Sequence, residues 1–279
     1  MKTIITIIAE NSISRPGLLG EHGFGAMIER GDEKYLFDTG PQMSWPLNLK
    51  ALNKDLTGLS QIILSHGHYD HTGGLPQAVR LAGPVEIVAH PEIFGPHHVI
   101  DAANPDNPPR YAGIPATRPE LENLGAYFRF IDHTEEISPG IFFITGINRA
   151  PDQLPNDRQL VMLKDGRLTP DPIIDDASLL LRCDCGDVLL LGCAHSGVLN
   201  ILDHLRNNLG ITRLAAILGG THLMFSDSEF VPRVIARFAE FSIELIGVSH
   251  CTGWPAALAL AKHFDSRFTM AAAGAVFTF

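Results

Sequence analysis

The amino-acid sequence predicts an α/β protein in which two β-sheets pack face to face with helices outside. Three observations lead there. Short apolar, β-branched runs open each half of the chain, segments with helical apolar spacing follow them, and polar, glycine-rich turns recur where a run passes into a helix. The 279 residues are 45% apolar and 19% charged, which suits a compact fold with a large core, and a single domain over residues 1–279 is expected.

The elements follow in order. Residues 2–9, rich in isoleucine and threonine, form the first expected strand. They do not read as an export signal, because the run is short, interrupted by Thr6 and followed by Glu10 and Asn11. Strands at 24–30 and 33–38 flank Gly31-Asp32, a hairpin signal. A loop begins at Asp38-Thr39-Gly40, a helix is expected at 45–53, and Gln61 to Leu64 reads as a buried strand. Leu75, Ala78, Val79 and Ala82 give helical spacing over 73–82, and a short strand follows at 85–88. From His90 to about Pro155 the periodicity is weak and Pro105, Pro108, Pro109, Pro115 and Pro119 intervene, so a lid or substrate-pocket insertion is expected at about 90–155. Strand-like runs return within it at Tyr127–Ile131 and Ile141–Thr145. Paired strands are expected at Ser178–Arg182 and Val188–Leu191, then helix Val198–Asn208 and strand Leu214–Leu218. Ser226 and Glu229 suggest a capping box for a helix over 227–240. Strand Ile243–Val248, helix Pro255–His263 and a strand pair at 267–270 and 274–279 close the chain.

The chemistry concentrates in Ser65-His66-Gly67-His68-Tyr69-Asp70-His71-Thr72-Gly73-Gly74, on a strand-to-helix turn where side chains can converge. His66, His68, Asp70 and His71 fall within six consecutive residues. Imidazole nitrogens and a carboxylate oxygen suit zinc, iron or manganese. His195, His222 and His250 each lie at the end of a strand among glycines, where the backbone turns tightly. Taken singly each is an ordinary histidine; together with the His-rich turn they point to one shared site. Cys183, Cys185, Cys193 and Cys251 contain no C-x-x-C pair, so buried, reduced thiols are expected.

The His-rich turn, the preceding Asp38-Thr39-Gly40, the later Gly192-Cys193-Ala194-His195-Ser196-Gly197 and the final His250-Cys251-Thr252-Gly253 together resemble the metallo-β-lactamase superfamily over nearly the whole chain. With Glu21-His22-Gly23-Phe24, they resemble the branch containing the dihydropterin–ribofuranosylaminobenzene phosphate synthase of methanopterin biosynthesis. The resemblance implies an αββα sandwich of two mixed sheets with one or two divalent metal ions at one edge, zinc first, with manganese or iron as alternatives. It implies that His66, His68 and His195 hold the first ion and that Asp70, His71 and His250 hold the second. Asp38 would orient ligand imidazoles by hydrogen bonding. Many hydrolases of the superfamily carry a bridging aspartate where this chain has Gly219-Gly220-Thr221-His222. Asp203 falls inside an expected helix and does not replace it. His222 is then a substitute ligand or a substrate contact, the second ion is expected to be held more weakly, and an anionic substrate group more strongly.

The expected activity is hydrolysis of a small anionic ester, phosphoester or related substrate by a metal-activated hydroxide, since a divalent ion lowers the pKa of bound water from roughly 15.7 to about 7. Asp70 would orient that water or take its proton, and His222 is the other catalytic candidate. The alternatives are a pterin-type transferase releasing pyrophosphate, with Phe94, Tyr111 or Phe128 facing a flat ring, and a non-catalytic metal- or ligand-binding protein. A formal charge of −10 with no Lys/Arg cluster argues against a nucleic-acid partner. No segment approaches membrane-spanning length. A cytoplasmic protein acting on a small molecule is expected.

Overall fold

In the computed structural model, which describes residues 2–104, 106–164, 166–227 and 229–279, the apolar runs become two seven-stranded mixed sheets. The first runs, edge to edge, Val276–Thr278, Thr3–Ala9, Gly25–Arg30, Glu33–Phe37, Leu59–Ile63, Val85–Ala89 and Ala126–Phe130. The second runs Phe268–Met270, Leu245–Ser249, Ala216–Gly220, Gly186–Leu191, Ser178–Cys183, Ile141–Ile144 and Glu135–Ser138. Each sheet joins three consecutive antiparallel pairings to three parallel ones.

Strand alternation sorts the side chains into layers. Ile5, Ile7, Ile28 and Phe37 of the first sheet meet Leu179, Leu181, Val188 and Leu190 of the second in the core between the sheets. Their neighbours face outward. Ile8, Met27, Leu36 and Ile62 pack against helices Ser44–Ala51 and Leu75–Ala82, while Leu180, Leu189 and Leu191 pack against Val198–Leu209, Phe230–Glu240 and Trp254–Phe264. The result is the expected αββα layering. Because the parallel strands point the same way, Asp38, Ser65, Gly192, Thr221 and His250 all follow their carboxyl ends and gather at one edge. No helix among the described residues is long and apolar enough to cross a membrane.

Four details differ from the sequence reading. The strands at 268–270 and 276–278 do not pair with each other. Phe268–Met270 joins the second sheet and Val276–Thr278 the first, the chain crossing between them through buried Ala271 and Ala273. Ser226 does not cap the helix that begins at Phe230; the Asp227 carboxylate accepts from the Glu229 and Phe230 amides instead, at 3.0 and 2.9 Å. Helix begins within the His-rich turn, at Tyr69–Thr72, before resuming at Leu75–Ala82. Cys185 is exposed and Cys183 half-buried, since both sit at the hairpin end of their strands, whereas Cys193 and Cys251 are buried; all four are free thiols.

The segment 90–155 is not one continuous excursion. Its strands Ala126–Phe130, Glu135–Ser138 and Ile141–Ile144 enter the two main sheets. His97–Val99 and Arg110–Tyr111 leave them to pair with Leu160–Lys164 and Arg167–Pro170 in a separate four-stranded sheet over the site edge. That pairing joins Leu160 to Val99, too far apart in sequence for local periodicity to reveal.

Candidate metal centre

The site begins with Asp38, buried at the end of strand Glu33–Phe37. Its Oδ1 accepts from the Ser65 amide at 2.7 Å, and its Oδ2 accepts from Ser65 Oγ at 2.6 Å and from His71 Nδ1 at 2.7 Å. This leaves His71 Nε2 as the lone-pair nitrogen and makes the ring a better ligand. Burial opposes a proton on His71, yet the Asp38 carboxylate outweighs it and raises the ring's proton affinity. Ser65 Oγ spends its own proton on Asp38, so its oxygen accepts from His66 Nδ1 at 2.9 Å. The network thereby assigns the lone pair of His66 to Nε2.

That lone pair faces His68 Nδ1 at 3.0 Å and His195 Nε2 at 3.2 Å. Nitrogens sharing one tetrahedral zinc lie ~3.4 Å apart, given Zn–N bonds of about 2.1 Å. Burial pushes His66 and His195 well below the ordinary imidazole value and His68 down to about 4, so all three are neutral donors. These three residues fit a metal ion. His68, His71 and His195 reach the cluster because buried carboxylates and amides hold their loops. The Gly67 amide donates to Asp175 Oδ2 at 2.7 Å, and the His195 and Ser196 amides donate to Asp176 at 3.0 and 2.8 Å. Gly192 lets the two halves abut, since a Cβ there would overlap Ser65 Oγ.

A second group lies beside the first. His250 is anchored through its amide to Glu10 Oε1 at 2.6 Å and through Nδ1 to Asn11 Oδ1 at 2.9 Å, which turns its Nε2 to Asp70 Oδ2 at 3.2 Å. His22 Nε2 approaches the same oxygen at 3.4 Å from the rim. Burial raises the proton affinity of Asp70, but the His250 hydrogen bond and the neighbouring His71 and His250 outweigh it, so the carboxylate is held well below its usual range. His71 Nε2 faces Cys193 Sγ at 3.1 Å. Asp38, Ala194, His222 and His250 all have positive φ, at 55°, 58°, 52° and 49°, a strained backbone that clusters here.

The structure brings Asp38, His66, His68, Asp70, His71, His195, His222 and His250 to this edge. His222 stands 4.4 Å, ring to ring, from His195, with Nε2 3.3 Å from Asp157 Oδ2 and Nδ1 buried without a partner. Burial pulls its proton affinity down, but Asp157 and Cys251 outweigh burial and push it up to about 10. Asp203 lies on helix Val198–Leu209, paired with Arg237, away from the cluster. Sequence reasoning did not find Glu10, Asn11, Asp157, Asp175, Asp176 or Arg110, which act through folding of distant segments. It set aside Cys193 and Cys251, although each lies within two residues of a candidate ligand.

The cluster floors a cavity of about 180 Å³ whose wall includes His22, Tyr69, Arg110, Asp157, His222 and Phe225. Among the described residues Arg110 is the lone Lys or Arg in that wall, and it sits 4.9 Å over the Tyr69 ring. Phe94, Tyr111 and Phe128 do not line it. Phe94 and Tyr111 border a separate surface depression, and Phe128 stacks on Phe130.

This fold and this arrangement of histidines define a class, and a family model described as the metallo-beta-lactamase superfamily matches residues 22–229; the chain belongs to that superfamily. Among individual proteins, the chain is 29% identical over 269 residues to the 7,8-dihydropterin-6-methyl-4-(β-D-ribofuranosyl)-aminobenzene-5′-phosphate synthase of Methanocaldococcus jannaschii, covering 93% of this chain and 90% of that protein. A second, uncharacterized protein of the same organism is 28% identical over 264 residues, covering 93% and 94%. The crystal structure of a metal-dependent hydrolase of the β-lactamase superfamily matches 99% of this chain and 98% of its own, with a TM-score of 0.84 and 25% identity.

Proposed function

We propose that the protein is a metal-dependent hydrolase of a small anionic substrate bearing an ester or phosphoester bond. The observation that carries this reading is the convergence of three neutral imidazole donors, His66, His68 and His195, at the base of a cavity whose wall, among the described residues, holds a single Lys or Arg, Arg110. His66, His68 and His195 would hold one divalent ion, zinc by the softness of the donors, and Asp70, His71 and His250 would hold another. When bound, such an ion supplies Lewis acidity and makes water a competent nucleophile near neutral pH. Asp70, ionised and aimed between His22 and His250, orients the attacking water and takes its proton. His222, protonated through its pairing with Asp157, donates a hydrogen bond to the substrate oxygen that gains charge. Arg110 pairs with the anionic group at the mouth, and the separate four-stranded sheet covers the cavity.

The test is turnover of a chromogenic phosphodiester and a chromogenic carboxylic ester by full-length protein supplied with zinc, manganese or iron. Activity with at least one pair, abolished in His68→Ala, is expected; silence with every combination overturns the reading. Similarity to the Methanocaldococcus synthase supports a second reading, transfer with departure of pyrophosphate. Pyrophosphate released from a pterin diphosphate only when an aminobenzene acceptor is added would favour it. The absence of Phe94, Tyr111 and Phe128 from the cavity wall supports the hydrolase instead.

A further inference from the structure

We infer that Cys193 is a sulfur ligand placed between the two candidate ion positions, supplying the negative charge that the missing aspartate would otherwise bring. The inference rests on the metal-site reading above and concerns its donor set. Cys193 Sγ lies within 4.8 Å of the donor atoms of His66 and His71, of His195 and His222, and of His250 and Cys251. It thus adjoins ligands assigned to both ions. It lies 3.1 Å from His71 Nε2, the nitrogen left free because Nδ1 is bonded to Asp38. Cys193 and Cys251 are each 3% exposed, yet both reach the cavity wall.

Independent support comes from His222. By the resemblance it stands where many relatives carry the bridging aspartate; it is buried, keeps Nδ1 without a hydrogen-bond partner, and has a ring nitrogen within 4.8 Å of Cys193 Sγ. An imidazole cannot bring negative charge between two dications, whereas a thiolate can. On binding, the Cys193 thiol releases its proton to solvent and the sulfur lone pair goes to the metal. A thiolate donor selects zinc or iron over manganese or magnesium. It also reverses the expectation, drawn from His222 alone, that the second ion is weakly held.

Cobalt(II) titration of the metal-stripped full-length protein tests this. Visible d–d bands report ion capture by any donors, and a near-ultraviolet thiolate-to-cobalt band reports sulfur. Wild type is expected to show the sulfur band by the second equivalent. Cys193→Ser should lose it and bind the second equivalent roughly tenfold or more weakly. Cys193→Asp should regain the affinity without the band, and Cys183→Ser and Cys185→Ser should keep both. Visible bands without a sulfur band in wild type, or a sulfur band that survives Cys193→Ser, overturn the assignment and leave the metal site standing. No visible bands at any ratio overturn the metal-site reading itself.

Discussion

The floor and the roof of the cavity are built by different means. On the floor, each candidate ligand loop is pinned by a buried carboxylate. Asp38 holds Ser65 and His71, Asp175 holds Gly67, Asp176 holds His195, and Glu10 holds His250. The roof is the four-stranded sheet that carries Arg110 and Tyr111, with Leu163 and Leu168 about half exposed. One buried joint links them: His97, with Nδ1 2.7 Å from Asp171 and Nε2 3.7 Å from Asp175. The contrast teaches that the candidate metal ligands are set by the interior, whereas Arg110, the side chain proposed to meet substrate, stands on surface strands.

Substitutions on each side should separate the two regions. His68→Ala, on the floor, is expected to lower kcat/KM by about a thousandfold, on the order of 4 kcal/mol of transition-state stabilisation. It should also remove the rise in melting temperature that zinc gives the stripped wild type, measured by calorimetry. Asp38→Asn leaves His71 and Ser65 without their ionic acceptor. A loss of about 3–5 kcal/mol in urea unfolding is expected, and a loss under 1 kcal/mol would show that the floor is not held as described.

At the joint, Asp171→Asn should cost about 1–3 kcal/mol. Burial opposes a charge on His97, but its two carboxylates outweigh burial and push it up to about 10 from 6.5. The stability this pair contributes is therefore full below about pH 6.5 and lost as pH rises through about 10. Wild type and Asp171→Asn should converge in stability at the alkaline end, and a constant difference across that window would break the argument. On the roof, Arg110→Gln should raise KM for an anionic substrate about tenfold, near 1.4 kcal/mol, with kcat and unfolding midpoint unchanged. If kcat falls as much as KM rises, Arg110 belongs with the reacting groups and the division between floor and roof fails.

Much of the fold was legible because alternation reports it directly. The runs at 2–9, 24–30 and 178–191 sort into inner and outer faces by period two, and every histidine named from the turns reached the site edge. What was missed has one cause. The closing strands at 268–270 and 276–278 look like neighbours along the chain yet enter different sheets, and His97–Val99 pairs with Leu160–Lys164, so partners were set by long-range hydrogen bonding. Cys193 and Cys251 looked like ordinary buried thiols because spacing alone cannot say that two loops from different strands bring sulfur to imidazole.

By itself, the sequence determined the layered α/β class and the donor chemistry at the strand ends, because periodicity and residue type are local properties of the chain. Only the tertiary structure decided which ring nitrogen of His66, His71 and His250 is free, which buried carboxylates hold their loops, and that Arg110, Asp157 and Cys193 share one cavity. Those depend on groups from separate loops meeting within hydrogen-bond distance, some of them more than a hundred residues apart, as Gly67 meets Asp175 at 2.7 Å.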